Sequence, residues 1–135
     1  MAKQAADIFV GRRKEATARV FLTPVAAGKA PEVLINGRTI EQYFANPLHR
    51  DDVMRPLRVT STEGNFTVRA NVNGGGLSGQ AGAVRLGIAR ALVDTNAELR
   101  PALRGDDLLT RDPRMVERKK YGQPKARKRF QFSKR

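Results

Sequence analysis

The stretch NVNGGGLSGQAGAVRLGIARA, residues 71–91, decides which fold this sequence can adopt. A strand-like run meets three glycines at 74–76, and a long helical segment follows them. Apolar residues recur along 77–96 at spacings of three and four, which predicts a helix with one buried stripe: Leu77, Ala81, Val84, Ile88 and Leu92. Small residues crowd the first half of this helix, and each glycine among them costs about 1 kcal/mol relative to alanine. We therefore expect another element to pack very close to it.

The segments before this stretch alternate between apolar and polar residues, as half-buried strands do. Every second position is apolar in 66–72 and in 18–22, so both segments are predicted strands. Residues 8–24 are predicted to form a hairpin, with Arg12, Arg13 and Lys14 projecting from its turn at the sheet edge. The dipeptide Asn36-Gly37 predicts a second tight turn.

Short helices are predicted at 40–46, at 48–57 with Pro56 breaking the end, and at 98–105. Strands, short helices, a strand and then a main helix predict an α+β domain of two layers, with its sheet packed on the main helix. Apolar residues become sparse near residue 110. We therefore assign 1–110 to a globular body and 111–135 to an extended basic tail.

Charge is distributed unevenly along the chain, whose net charge is +13. Residues 111–135 contain eleven Lys or Arg and two acids, whereas 1–110 contain fifteen basic and eleven acidic residues. Such a separation points to a polyanion, with nucleic acid ahead of an acidic membrane. A membrane would need an amphipathic helix or a lipid anchor, but Gly122 and Pro124 interrupt the tail and no Cys is present.

The composition also argues against several classes of function. Without Cys there are no disulfides or thiolate metal sites, and a single histidine, His49, disfavours a histidine metal site or a catalytic dyad. No segment resembles a secretory signal or reaches the roughly 18 apolar residues of a membrane span. We expect a cytoplasmic protein that has no cofactor, no metal and no enzymatic activity.

The glycines at 74–76 precede a helix N-terminus, where backbone N–H groups can bind phosphate. The loop matches neither a Walker pattern nor GxGxxG. It resembles the phosphate loop of small-molecule kinases related to galactokinase and homoserine kinase, but the nearest acids, Glu63 and Asp94, have no reason to converge on it. We favour a loop that permits close packing and also lets a nucleic-acid backbone approach.

Three aromatic residues are spaced among the cations of the tail and could stack on bases, namely Tyr121, Phe130 and Phe132. Fully extended, its 25 residues would span roughly 80 Å. That reach suits threading through an irregular RNA better than gripping a duplex, for which no recognition helix is present. A disordered tail that only raises solubility or acts as a localisation signal is the alternative.

Four segments resemble one family along essentially the whole chain: GRRKEATARV, LINGRTIEQYF, GGGLSGQAGAVRLGIARAL and RDPRMVERKKYGQPKARKRFQFSKR. They are similar to the bacterial family of small-subunit ribosomal protein nine. The resemblance implies the fold of the second domain of ribosomal protein five, which those kinases share. It places the body on ribosomal RNA in the head of the small subunit, beside neighbouring ribosomal proteins. The tail would reach the anticodon stem-loop of the peptidyl-site tRNA.

The cationic pattern and the resemblance together predict which residues bind RNA. The predicted ribosomal RNA contacts are Arg12, Arg13, Lys14, Gly74, Gly75, Gly76, Gln80, Arg85, Arg111, Arg114, Arg118, Lys119, Lys120, Tyr121, Lys125, Arg127, Lys128, Arg129 and Phe130. The resemblance assigns the tRNA contact to Ser133, Lys134 and Arg135. Two alternatives stay open, a nucleoid or chaperone-like protein that binds nucleic acid non-specifically and a small-molecule kinase.

Overall fold

A computed structural model of the chain describes residues 7–25, 30–129 and 131. The described strands are β1 (Phe9–Arg13), β2 (Ala16–Pro24), β3 (Val33–Ile35), β4 (Arg38–Thr39) and β5 (Phe66–Asn73). The described helices are α1 (Ile40–Tyr43), α2 (Pro47–Val59), α3 (Leu77–Thr95) and α4 (Arg100–Gly105), and a 3-10 turn (Ala97–Leu99) precedes α4. No helix in these ranges combines the length and apolar character that crossing a membrane requires.

The five strands form one sheet in the order β1-β2-β5-β3-β4. Neighbouring strands are antiparallel except for β3 and β5, which are parallel. Helix α3 packs on β1 and β2, and α2 packs beside α3. The core contains the inward residues of β2 and β5 and the apolar stripe of α3: Ala18, Val20, Val68, Ala70, Ala81, Val84, Ile88 and Leu92. The predicted α+β fold, a sheet packed against helices, is confirmed.

The two predicted turns have the backbone geometry of tight hairpins. Asn36 and Gly37 between β3 and β4 have φ angles of 52° and 80°, as a type I′ turn requires. Between β1 and β2 the turn is Lys14–Glu15, with φ of 53° at Lys14. Arg12 and Arg13 therefore belong to β1 and not to the turn, so they point to opposite faces of the sheet.

The prediction that Pro56 ends its helix is wrong, because α2 continues to Val59 with Pro56 inside it. Proline lacks an N–H, so it cannot donate a hydrogen bond to the preceding turn, and its ring crowds the carbonyl four residues earlier. Pro56 and Leu57 are both buried, so their packing offsets the lost bond.

Strand β1 and helix α3 touch through their backbones. A Cβ atom on Gly11 would lie 1.9 Å from the carbonyl oxygen of Ala83 and 2.5 Å from the amide nitrogen of Gly87. A Cβ on Gly87 would lie 2.5 Å from Cγ2 of Val20. This is the close approach that the small residues of α3 predict.

We predict that Gly11→Ala destabilises the fold by about 3 kcal/mol, since a methyl group there must push two backbones apart. Urea unfolding followed by circular dichroism measures the change. Gly105→Ala is the matched control, because its added Cβ meets nothing within 4 Å, and it should change stability by less than about 0.5 kcal/mol. Equal stability of the two variants would contradict the close packing.

Candidate nucleic-acid interface

Three arginines from separate parts of the chain line one cavity of about 440 Å³. Arg12 comes from β1, Arg90 from α3 and Arg111 from the segment after α4, and Val10 completes the lining. The guanidinium of Arg90 donates a hydrogen bond to the carbonyl oxygen of Val10 at 2.5 Å, which fixes its position beside β1. No acidic residue is among the lining residues in the described part of the chain. A planar guanidinium matches the oxygens of a phosphate, so the arginine cavity suits a phosphate group.

The arginine cavity depends on the β1–α3 contact. Gly11 faces α3, so its neighbour Arg12 faces away from the helix. Arg12 and Arg111 were predicted from the sequence as separate RNA contacts, and the structure brings them together. Arg90 was missed, because its helical position reveals nothing of the strand edge beside it. The only indication in the sequence is that Arg90 lies outside the apolar stripe of α3.

Arg13 is held against α3. A Cβ on Gly82 would lie 2.1 Å from its Cδ, so the arginine stem fills the space over that glycine. Its Nη1 donates to the carbonyl oxygen of Ser78 at 3.3 Å, and its Nε lies 3.8 Å from a carboxylate oxygen of Asp112. The expectation that Arg13 projects with its two neighbours is therefore wrong. Arg12 and Lys14 are exposed.

Asp112 joins the start of the tail to the body. Its carboxylate accepts hydrogen bonds from the backbone N–H and the guanidinium of Arg114, at distances between 2.6 and 3.0 Å, while it faces Arg13. The hydrogen bonds from the Arg114 side chain and backbone, with the charges of Arg114 and Arg13, hold the pKa of Asp112 well below its ordinary value. Arg114 was predicted as an RNA contact, and in this structure its Nε and Nη2 bind Asp112.

The glycine loop is shaped by the first hairpin and by a chain of hydrogen bonds. Gly74 and Gly75 have φ angles of 77° and 62°, and a Cβ on Gly74 would lie 2.6 Å from the carbonyl oxygen of Glu15. Gly76 is the exposed N-cap residue of α3, and no side-chain hydrogen bond caps the helix there. The glycines thus allow the backbone of the first hairpin to pack against the loop. This packing explains why glycines occupy the loop, and no bound nucleotide is needed to explain them.

Gln80 holds that loop in place and is 9% exposed. Its Nε2 donates to the carbonyl oxygen of Gly74 at 3.1 Å, and its Oε1 accepts the hydroxyl of Tyr43 at 2.6 Å. The side chain of Asn36 extends the network. Its Nδ2 donates to the Val72 carbonyl oxygen at 3.0 Å, and its Oδ1 accepts from the Val72 N–H at 2.7 Å. The polar atoms of Gln80 therefore have partners inside the protein.

Arg85 lies apart from the arginine cavity. It sits at the contact between α3 and α2, where its Nη1 is 3.6 Å from a carboxylate oxygen of Asp52. The structure therefore separates Arg85 from Arg12 and Arg111, with which it was grouped in the sequence.

The face of the sheet opposite the helices carries cations that the sequence reasoning did not select. Arg19 of β2 and Arg69 of β5 are exposed there, at positions that alternate with buried residues. The guanidinium of Arg69 lies over the ring of Phe21, 5.0 Å from its centroid. The strand register places Asn71 beside Arg19 and Thr17 beside Arg12. This open face is basic and has an aromatic surface, both features of RNA-binding sheets.

The described tail residues, 111–129 and 131, form no helix or strand, and neither do the last residues of the body, 106–110, although Leu108 is buried. Glu117 accepts hydrogen bonds from Lys120 at 2.6 Å and from Arg127 at 2.8 Å, and these bonds lower the pKa of its carboxyl. The chain therefore bends between 117 and 127 instead of running fully extended. Tyr121 is 95% exposed, as base stacking would require.

The remaining predicted tail contacts divide into two groups. Exposed cations without an ion pair in the described ranges are Arg111, Arg118, Lys119, Lys125, Lys128 and Arg129. Phe130 and the predicted tRNA contacts Ser133, Lys134 and Arg135 lie outside the described residues.

Comparison with known proteins shows one family. Residues 11–135 match the family described as ribosomal protein S9/S16. A protein named small ribosomal subunit protein uS9 from Chlorobium limicola is 56% identical over 126 residues, which cover 93% of this chain and 95% of that protein. A protein of the same name from Anaeromyxobacter sp. is 52% identical over 130 residues, which cover 96% of this chain and 97% of that protein.

We predict that the Asp112 carboxyl titrates below its ordinary value of 3.8. Because the pKa is lowered in the folded state, the contacts of this carboxylate add stability above about pH 4. That stability is lost as the pH falls further and the group protonates. An NMR titration of the side-chain carbonyl carbon measures the midpoint.

Arg114→Gln should move that midpoint up towards the ordinary value, whereas Arg55→Gln, an exposed arginine on α2, should leave it unchanged. A midpoint at or above 3.8 in the unaltered protein would show that the tail is not held by Asp112.

Proposed function

The chain belongs to the ribosomal protein S9/S16 family, and on this premise we propose that it binds small-subunit ribosomal RNA and contacts peptidyl-site tRNA. It is a structural protein of the small ribosomal subunit, from a family that is not one of enzymes. The body, residues 1–110, would bind RNA in the head of the subunit, beside neighbouring ribosomal proteins in the cytoplasmic ribosome. The fold would be that of the second domain of ribosomal protein five.

The arginine cavity is the observation that carries the RNA-binding proposal. Arg12, Arg90 and Arg111 converge without an acidic neighbour among the described lining residues, so a phosphate there would meet three guanidinium groups, of which that of Arg90 is held by the Val10 carbonyl. The cavity joins the body to the tail, because Arg111 is the first tail residue. A phosphate held there would orient the tail as it leaves the body.

The other basic surfaces extend from this point. On one side lies the open face with Arg19, Arg69 and Phe21, where the arginines would bind backbone phosphates and the ring would contact bases. On the other side are Lys14 and the exposed Gly76, close to Met115 and Val116 of the tail. A kinase activity has no support from this arrangement, because Gly74 and Gly75 are packed against the hairpin.

The tail, residues 111–135, would thread through ribosomal RNA and present its last three residues to tRNA. Its eleven basic residues against two acids supply the charge for this path. Ser133, Lys134 and Arg135 would bind the backbone of the anticodon stem-loop. Such contacts suit every tRNA, because phosphates carry no sequence information. Cations earlier in the tail would anchor it.

We predict that Arg12→Gln combined with Arg111→Gln lowers affinity for small-subunit ribosomal RNA about tenfold or more. Each lost phosphate contact should reduce the slope of log affinity against log salt by about 1. Filter binding over a range of salt concentrations measures both quantities. Arg55→Gln combined with Arg104→Gln removes the same charge from exposed positions on α2 and α4. An equal loss in this control pair would mean that only net charge matters.

We also predict that deletion of Ser133 to Arg135 leaves subunit assembly intact and weakens tRNA retention in the peptidyl site several-fold. Sucrose-gradient sedimentation reports the assembly, and filter retention of tRNA on purified subunits reports the binding. Lys134→Gln with Arg135→Gln keeps the chain length and should reproduce most of the loss if charge is responsible. Failure of assembly after the deletion would contradict this division between anchor and tip.

A further inference from the structure

A groove of about 530 Å³ lies near the opposite edge of the sheet from the arginine cavity. Residues of β3, α1 and α2 form it, and its apolar floor includes Val33, Leu34, Ile40 and Met54. The arginine cavity is at β1, whereas β3 and β4 end the sheet on the other side. With neighbouring strands about 4.8 Å apart, the two edges are separated by roughly 20 Å.

The rim of this groove is acidic, in a chain that has 26 basic and 13 acidic residues. Four carboxylates line it, Glu32, Glu41, Asp51 and Glu63, together with two arginines, Arg50 and Arg58. Arg58 already forms ion pairs with two of these acids, because its guanidinium lies 3.1 Å from the Asp51 carboxylate and 3.8 Å from the Glu63 carboxylate. The groove therefore has an excess of negative charge.

We propose that this acidic groove binds a basic, extended segment of a neighbouring protein in the small subunit. Lysine and arginine have apolar stems and charged ends, so their stems would pack on Leu34 and Met54 while their charges reach Glu32 and Glu41. Phosphates are the wrong partner, since carboxylates repel them. The inference rests on the proposed function, because the assembled subunit supplies the partner.

The tail of the same chain starts at the other end of the molecule. Asp112 holds it near Arg13 of β1, and Met115 and Val116 lie beside Gly75 and Gly76. The contact of Glu117 with Arg127 then bends it back on itself. These positions favour another protein over the chain's own tail as the occupant.

Site-directed cross-linking in assembled subunits tests the proposal, and the absence of Cys from the sequence makes labelling specific. Pro47→Cys places a benzophenone maleimide at the exposed rim of the groove. Arg19→Cys places the same label on the open face as the control. Small subunits are reconstituted with each full-length variant, irradiated and analysed by mass spectrometry.

We expect the label at Pro47→Cys to capture a peptide rich in Lys and Arg from another subunit protein, and the label at Arg19→Cys to capture RNA. Cross-links from the groove to RNA, to a second copy of this chain or to its own tail would overturn the proposal. So would no cross-link from the groove while the control reacts. Failure of the unaltered, unlabelled chain to enter subunits would overturn the proposed function itself.

Charge reversal separates binding from mere proximity. Glu32→Lys with Glu41→Lys, added to Pro47→Cys, should lower the protein cross-link about tenfold and leave the RNA cross-link of Arg19→Cys unchanged. Asp94→Lys with Glu98→Lys is the matched control, since both acids are exposed elsewhere and should have no effect. An undiminished protein cross-link after reversal at the groove would show that its acids recognise nothing.

Discussion

The backbone contact between β1 and α3 is the constraint on which the rest of the structure depends. Gly11 faces Ala83 and Gly87 with no room for a Cβ, so strand and helix meet backbone to backbone. This contact brings the edge strand under the helix. It also allows an arginine of α3, Arg90, to reach the carbonyl oxygen of Val10. Ordinary side chains at these glycines would separate the residues that line the arginine cavity.

The same packing separates charge across the molecule. Helices cover one face of the sheet. The outward-facing polar residues of β2 and β5, including Arg19 and Arg69, therefore lie on the open face. Strand order then puts the arginine cavity at the β1 edge and the acidic groove near β3. Complementary potentials guide association. A protein with a basic and an acidic edge can therefore bind RNA on one side and a basic protein segment on the other.

The sequence predicted the features that follow from local pattern. Strand alternation, the Asn36-Gly37 turn and the long helix are local, and so is the crowding of small residues in α3, which pack against β1 and β2. Features set by tertiary contacts were not predictable. Nothing in the sequence shows that Gln80 is buried against Tyr43, or that Arg13 covers Gly82.

Pro56 illustrates the same limit, because packing of its own helix overrode a strong local signal. Arg19 and Arg69 could have been selected, since outward positions on neighbouring strands must share a face once the strands pair. The family resemblance, in contrast, could be identified from the segments themselves and is confirmed over residues 11–135.

The two acids of the tail are used for different purposes, and the difference follows from their surroundings. Asp112 is only 18% exposed and lies between Arg13 of the body and Arg114 of the tail, so its contacts join the two. Glu117 pairs with Lys120 and Arg127, both of them tail residues. Exposed ion pairs of this second kind add little net stability in water, and a phosphate can replace a carboxylate as the partner. Binding to RNA would therefore straighten the tail beyond Glu117 and leave its origin at Asp112 in place.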